Sequence, residues 1–543
     1  MNPLPDQPDI NHLKKQAKDL LKAYRQGSAE AVRRLQTALP LARGKSPEAL
    51  RAMELRLHDA QSCIAREYGL SSWADLRSLV EVMRLRDSDA KTLAAGFSRL
   101  VYAGEIAGGM NRARPNAAAR LLAEHPGIAR HDPWLACATG EHEIVRRNLA
   151  EDPSWVERPG GPLSLTPLIA TTHSSLLTLP EYRDGLHRVA ALLLAAGANP
   201  NGRQNKEWSG RADTPPETWQ ASPLHGAAGV NHDPELTRML LAAGADPNDG
   251  ESLYHSLDTA RCTKLLLDAG ATVTGTNVLF RALDFDDLDT FRLLLSHAAD
   301  TPELSSSRLL FWAIRRRRSL AHVAALLEAG IDPRARNKDG LGAEIQALRY
   351  GLPEVAALLR EAGADTPLAP EEQFLAACAR GDEEEARRLQ AANPGFPAAL
   401  DDDRLRIFPE LAAAGCGEAV RLMADLGWPL EVRGGDFDAS ALNQAVFRGD
   451  AALARHLLAS GASWKADHAY GDNVCGTLSW ASVNRPVENG DWAGCAEALL
   501  AHGMPAAERD PGDPDIVLID GRKRRFADEV TALLLGEDAG AGA

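Results

Sequence analysis

Four successive arginines, Arg315 to Arg318, set the first chemical question of this sequence. Like charges this close repel, and they gain from an anionic neighbour. Their planar forks suit carboxylate or phosphate groups. The run therefore implies either an anion held nearby or a solvated face. The acidic patch Asp284, Asp286, Asp287 and Asp289 raises the opposite question, a bound cation. It lacks the spacing of a calcium loop and its closing bidentate glutamate. It reads instead as carboxylates at the start of a helix, where the dipole favours them. His468, Asp472 and Asp491 share one long loop, and they read as a hydrogen-bonded loop. There is no G-x-S-x-G elbow, Walker A loop, H-E-x-x-H or dinucleotide fingerprint. Seven cysteines, at 63, 137, 262, 378, 416, 475 and 495, form no C-x-x-C pair. They read as reduced thiols, not as a disulfide frame or zinc site. No metal, no cofactor and no catalytic residue is expected, and the balance leans away from an enzyme.

What must position these residues is a recurring phrase. Leu193-Leu194-Ala195-Ala196-Gly197-Ala198-Asn199-Pro200 returns as Leu240-Leu241-Ala242-Ala243-Gly244-Ala245-Asp246-Pro247, and again in shorter form at 266–271, 326–331 and 457–462. Intervals near 33 residues, such as Gly330 to Gly363, mark a stacked helical solenoid. The fold class is all-α. Each unit from about residue 89 has a short Ala-rich inner helix and an outer helix ending in Leu-Leu-x-x-Gly. That glycine supplies the left-handed residue just past a helix. Solenoids expose an extended concave surface that binds.

Residues 1–88 differ. Leu13, Ala17, Leu20, Leu21 and Tyr24 fall at helical spacing, followed by Val32, Leu35 and Leu39, then Leu57, Ala60, Ile64 and Tyr68, then Leu76, Leu79 and Val80. This predicts a helical module that caps the array of residues 89–506. The segment 507–536 predicts a last capping helix, Arg525 to Leu535, and 537–543 a disordered tail.

The chain has 543 residues and a formal net charge of −15. That balance argues against nucleic acid as the partner. The N-terminus lacks a signal-peptide pattern, and no apolar run is long enough to span a bilayer. A cytoplasmic protein with no membrane partner is expected. Arginine outnumbers lysine and alanine is abundant, a bias of GC-rich bacterial genomes.

Particular motifs carry a family resemblance. Openings of the T-P-L-H type recur at Thr166-Pro167-Leu168, Ser222-Pro223-Leu224-His225, Ser252-Leu253-Tyr254-His255 and Leu478-Ser479-Trp480-Ala481. Middles of the G-H-x-E-I-V type stand at Gly140-Glu141-His142-Glu143-Ile144-Val145 and Gly351-Leu352-Pro353-Glu354-Val355. With the L-L-x-x-G-A endings, these resemble the ankyrin repeat over roughly residues 89–506, about twelve units, several of them degenerate. The N-terminal stretch is similar to the segment preceding such repeats in many bacterial ankyrin proteins. Two intervals are long: about 47 residues from Gly197 to Gly244 and about 42 from Gly461 to Gly503. The extra length falls near 202–220 and 466–492, on loops that often form the binding face.

The resemblance also implies roles. His225 and His255 would brace inter-repeat turns. The concave groove would be lined by Asp284, Phe285, Arg315, Arg316, Arg349, Tyr350, Arg380, Phe447 and Arg448. Arginine and aromatic residues dominate binding hot spots, so the expected partner is another protein or an acidic peptide segment. Trp480 is expected in the core. Trp208, Trp219 and Trp492, in the inserts, are expected as surface anchors. The leading reading is a scaffold for protein recognition. The alternative is an enzyme or small-molecule binder whose insert loops close a pocket against the inner helices, marked by a deep enclosed cavity. A purely architectural role would need a flat apolar surface, and the groove positions are too charged for one. The sequence does not give the oligomeric state.

Overall fold

Proline, leucine and glycine define each hairpin. In the helix Pro234–Ala242, the Asp233 carboxylate caps the first turn by accepting from the Leu236 amide at 2.9 Å. Pro234 follows, where a missing N–H costs nothing. Leu236 and Leu240 are fully buried, each contributing about 1.5–3 kcal/mol of apolar transfer. Gly244 then takes φ +90°. Its amide donates to Leu241 O, and that of Ala245 to Leu240 O, both at 3.0 Å, which closes the helix.

The computed structural model describes residues 4–5, 8–39, 42, 45–53, 55–70, 72–83, 89–108, 111–208, 217–298, 302–305, 307–364, 366–511 and 516–536. Backbone alone is described at 58, 74, 81, 205–208, 217–219, 303 and 305. The chain forms two compact units, residues 1–278 and 279–543.

The first unit opens with helices Ile10–Arg25, Ala29–Ala38, Leu57–Glu67 and Trp73–Met83. Leu13, Leu20, Leu35, Ile64, Leu76 and Leu79 are buried among them. The phenol of Tyr24 donates to Met53 O at 2.7 Å. Inner and outer helices then alternate: Pro133–Thr139 with His142–Glu151, Pro167–Thr172 with Pro180–Ala195, His225–Val230 with Pro234–Ala242, and Ser252–His255 with Ala260–Asp268. The 202–220 insert is a two-stranded antiparallel hairpin, Gln204–Trp208 against Glu217–Ala221. The hairpin tip, 209–216, lies outside the described residues, as does the 537–543 tail that the sequence predicts to be disordered.

In the second unit the inner helices are Arg308–Arg315, Ala343–Arg349, Pro370–Arg380, Ile407–Ala413, Ala441–Arg448 and Val474–Asn484. Each is followed by its outer helix. Phe374, Phe408, Leu411, Leu442, Leu457 and Leu478 are fully buried between layers. A short hairpin, Arg433–Gly434 with Ala439–Ser440, projects before the inner helix Ala441–Arg448. The 466–492 stretch holds a tight turn (Asp467 bridged to Asn473), the helix Val474–Asn484 and the loop leading to helix Trp492–Ala501. Beyond it, where the sequence predicts one helix, a three-stranded antiparallel sheet (Glu508–Arg509, Val517–Ile519, Arg522–Arg524) precedes the helix Asp528–Leu534. Arg524 explains the sheet: its guanidinium donates to both Asp472 oxygens at 2.7 Å, which ties the last strand to the 467–473 turn.

Candidate functional site

The four arginines do not share a face, because the helix breaks among them. Arg315 ends the inner helix, and Arg317 takes φ +52°. It stands at the turn where Gly351, Gly381, Gly415 and Gly449 stand in later repeats. The guanidiniums therefore diverge after Arg316: Arg315 and Arg316 share Asp436, whereas Arg317 and Arg318 find separate acceptors. Arg317 donates to Tyr350 O. Arg318 donates to Arg316 O at 2.9 Å and lies 3.4 Å from Asp286. The anionic neighbour implied by the run exists, and within this unit it is the chain itself.

Glu410, on the inner helix Ile407–Ala413, is the hub. It accepts from Arg315 Nε and Nη2 at 3.0 and 3.2 Å, from the Tyr350 hydroxyl at 3.1 Å and from the Gly435 amide at 3.0 Å. Asp436, at the tip of the short hairpin, joins two guanidiniums: Arg315 Nη2 at 3.1 Å and Arg316 Nη1 at 2.8 Å. Arg316 Nε reaches Asp284 at 2.8 Å, and its guanidinium lies 4.3 Å from the Trp312 ring centre. Burial alone would lower the pKa of Arg315, but the carboxylates of Glu410 and Asp436 and the Tyr350 phenol raise it overall. This corner is a neutralised ion-pair network.

Two expected groove residues are not on the surface. Arg349 is 5% exposed and Tyr350 7%. Arg349 Nε and Nη2 each donate to Glu372 at 2.8 Å, and Nη1 donates to Asp403 at 2.7 Å. Glu372 also accepts from Arg404 at 2.9 Å. The next repeat supplies the carboxylate and folds over both residues, so they hold layers together. Tyr350 is covered in the same way, and burial followed by the nearby Glu410 raises its phenol pKa. Arg380 is exposed and lies 3.6 Å from Asp382. Arg448 donates to Ala413 O at 3.1 Å. Phe285 is half-buried, with the Arg281 guanidinium 4.7 Å from its ring centre.

The aromatic residues rearrange the expectations most. Trp480 is 47% exposed, not in the core. Its helix starts at Val474 behind the Asn473 cap, earlier than the Leu478-Ser479-Trp480-Ala481 match implies, so its ring turns to the inner face. There it stacks on Phe447 with centres 5.5 Å apart and planes at 9°. Phe437 packs on Phe447 at 5.4 Å and on His468 at 5.7 Å. Tyr470 and Val483 are also exposed, at 64% and 41%. Trp492 is corrected in the other direction. It is 4% exposed, and its indole donates to Phe447 O at 3.4 Å. It starts an outer helix packed on the preceding repeat, so it is core. The backbones of Trp208 and Trp219 lie in the paired strands, and their side chains lie outside the described residues.

The remaining polar groups have structural partners. Asp287 caps the helix Leu288–Ser296, accepting from the Asp289 and Thr290 amides at 3.1 Å. Asp491 caps the helix Trp492–Ala501, and Asp472 serves Arg522 and Arg524. His468 is buried, and its amide donates to Asp472 O at 2.9 Å. His173, His225 and His255 form a row with ring centres 5.9 and 5.1 Å apart. Burial holds the His173 pKa down at about 4. The seven thiols are unpaired, and burial pushes Cys378 up to about 12. A cleft in the first unit, lined by Arg183, His187, Asp233, Arg238, Arg261 and Lys264, lies among outer helices. His187 pairs with Asp233 there at 2.8 Å and Lys264 with Asp268 at 2.9 Å. Among the described residues, no helix is long and apolar enough to cross a membrane.

Sequence reasoning missed Glu410, Asp436 and Phe437. The run Gly434-Gly435-Asp436-Phe437-Asp438 is a turn signal, but nothing local shows where such a turn reaches.

Comparison with known proteins gives three findings. The family described as the ankyrin repeat matches residues 219–251, the stretch that contains the clearest unit of the sequence. No curated protein matches the chain. Among solved structures, the crystal structure of the human ASB11 ankyrin repeat domain is similar at 21% identity, covering 42% of this chain and 99% of that one, with a TM-score of 0.21.

Proposed function

Because the chain is an ankyrin-repeat protein, and such repeats generally serve as protein-binding scaffolds, we propose that it recognises another protein through the inner helices of residues 279–543. The Phe447–Trp480 stack is the anchor. One observation carries this reading: a tryptophan 47% exposed and backed by a near-parallel ring at 5.5 Å. A large apolar ring left in water is costly unless a partner covers it, and tryptophan is the residue most enriched in hot spots. Stacking on Phe447 holds the ring in place beforehand, which reduces the ordering cost of association. The acidic character expected of the partner finds support at Arg315 and Arg316, which are partly exposed, and none at the buried Arg349. The reading includes a reducing, cytoplasmic setting, supported by the unpaired thiols.

The test is photo-crosslinking in the native cell from a reactive side chain at position 483, with position 387 on an outer helix as control. A partner captured only from 483 is expected to bind the purified chain and to lose binding in Trp480→Ala. Equal binding by Trp480→Ala would end the proposal.

A further inference from the structure

The tip of the hairpin Arg433–Ser440 spans two parts of the inner face. Asp436 sits between Arg315 and Arg316 at 3.1 and 2.8 Å. The adjacent Phe437 packs on Phe447 at 5.4 Å. One dipeptide thus fills a cationic subsite and an aromatic one. The Asp436 side chain is 53% exposed. Exposed ion pairs hold weakly, because water competes for both charges. A second carboxylate can therefore compete with Asp436 for the two guanidiniums, against the effective-concentration advantage of a tethered group. The rest of the tip is held by the Gly435 amide donating to Glu410 at 3.0 Å, Gln444 Nε2 donating to Gly434 O at 3.0 Å, the Ala469 amide donating to Phe437 O at 3.0 Å, Asp438 paired with Arg433 and Arg406 at 3.1 and 3.6 Å, and Phe437 against His468 at 5.7 Å. An acid alone replaces only the Asp436 contacts. A ligand with an acid beside an aromatic ring replaces both.

We propose that Arg315, Arg316 and Phe447 form a two-part docking site for a partner-protein segment carrying an acidic residue next to an aromatic one, and that Asp436-Phe437 is the chain's own occupant of that site. Charge complementarity and the internal occupant define the partner's chemistry together. The hairpin then acts as a competitor: it sets a threshold that a bound segment must exceed, and its departure exposes the Phe447 ring. The aromatic half rests on the reading of the Phe447–Trp480 face as a binding surface; the acidic half stands on the arginines.

The experiment titrates the full chain with a fluorescein-labelled hexapeptide, Gly-Gly-Asp-Phe-Gly-Gly, read by anisotropy. Asp436→Asn is expected to bind it roughly tenfold tighter than the unmodified chain, the scale of one charge-assisted hydrogen bond. Adding Arg316→Ala to Asp436→Asn should remove the gain, and the peptide with Asn for Asp should bind neither protein tightly. Unchanged affinity in Asp436→Asn, or a gain that survives Arg316→Ala, overturns the proposal. A second measurement needs no variant: saturating peptide should speed hydrogen exchange across residues 433–440 of the unmodified chain, and unchanged exchange overturns it too. A dimer of the unmodified chain that dissociates in Asp436→Asn would make a second copy the occupant, and would also overturn it. If Trp480→Ala abolishes partner binding while Asp436→Asn changes nothing, the face stands and the internal occupant falls. The reverse pattern retains the acidic subsite and removes the face.

Discussion

Phe447 and Trp480 occupy the same position one repeat apart, 33 residues along the chain, and their rings stack at 5.5 Å with planes 9° apart. The period of the array brings them together. Ser440 and Asn473 cap their two helices and also stand 33 residues apart. A shared register from cap to ring puts both aromatics on the inner side.

Two tryptophans should behave oppositely. Trp480→Ala removes a stacked but half-exposed ring and should cost no more than about 1.5 kcal/mol. Trp492→Ala empties a site that is 4% exposed and should cost about 3–5 kcal/mol. Urea denaturation of both variants measures the difference. Equal costs would mean that Trp480 is a core residue after all.

Arg349 should prove structural. Removing its side chain leaves Glu372, itself 5% exposed, with one of its two guanidinium partners gone. Breaking such a buried pair costs about 3–5 kcal/mol. Arg380→Ala, whose nearest carboxylate is a surface neighbour, should cost less than about 1 kcal/mol. Denaturant midpoints with unchanged slopes would establish the contrast. A silent Arg349→Ala would remove the ion pair from the set of contacts that hold the layers together.

Stability should fall in mild acid. An unfolded histidine takes up its proton near pH 6.5, whereas burial keeps His173 neutral until about pH 4. Between those values the unfolded state binds more protons, so stability is lost as pH falls from 6.5 towards 4 and is fully retained above 6.5. For His173 the loss amounts to about 3 kcal/mol across that window. His225, also depressed by burial and by its histidine neighbours, acts in the same direction. Urea titrations at pH 7.5 and pH 5 should therefore differ, and His173→Gln should narrow the gap. An unchanged gap would exclude His173 as the cause.

Gly244 and Gly449 both take positive φ, +90° and +69°, but a Cβ has open space at Gly244 and meets Gly490 Cα at 2.6 Å at Gly449. Gly244→Ala should cost about 1–2 kcal/mol of backbone strain. Gly449→Ala should cost more, because the 489–491 loop must move and the bond from the Asp491 amide to Gly449 O, 2.8 Å, is lost. Thermal midpoints of the two variants rank them directly.

The sequence by itself determined the repeat and the buried leucines such as Leu240, because the interactions that make them are local: a helical period, a capping side chain and a glycine that permits left-handed backbone. Register on a degenerate helix was less secure. Each residue of slip turns a side chain by about 100°, and matching the motif at Leu478 instead of the cap at Asn473 moved Trp480 from the surface to the core. Only the tertiary structure decided what the arginines face. Glu410 lies 95 residues from Arg315 and Asp436 lies 120 from Arg316. Pairing across such distances depends on how layers stack and where a hairpin tip reaches, which no local pattern encodes.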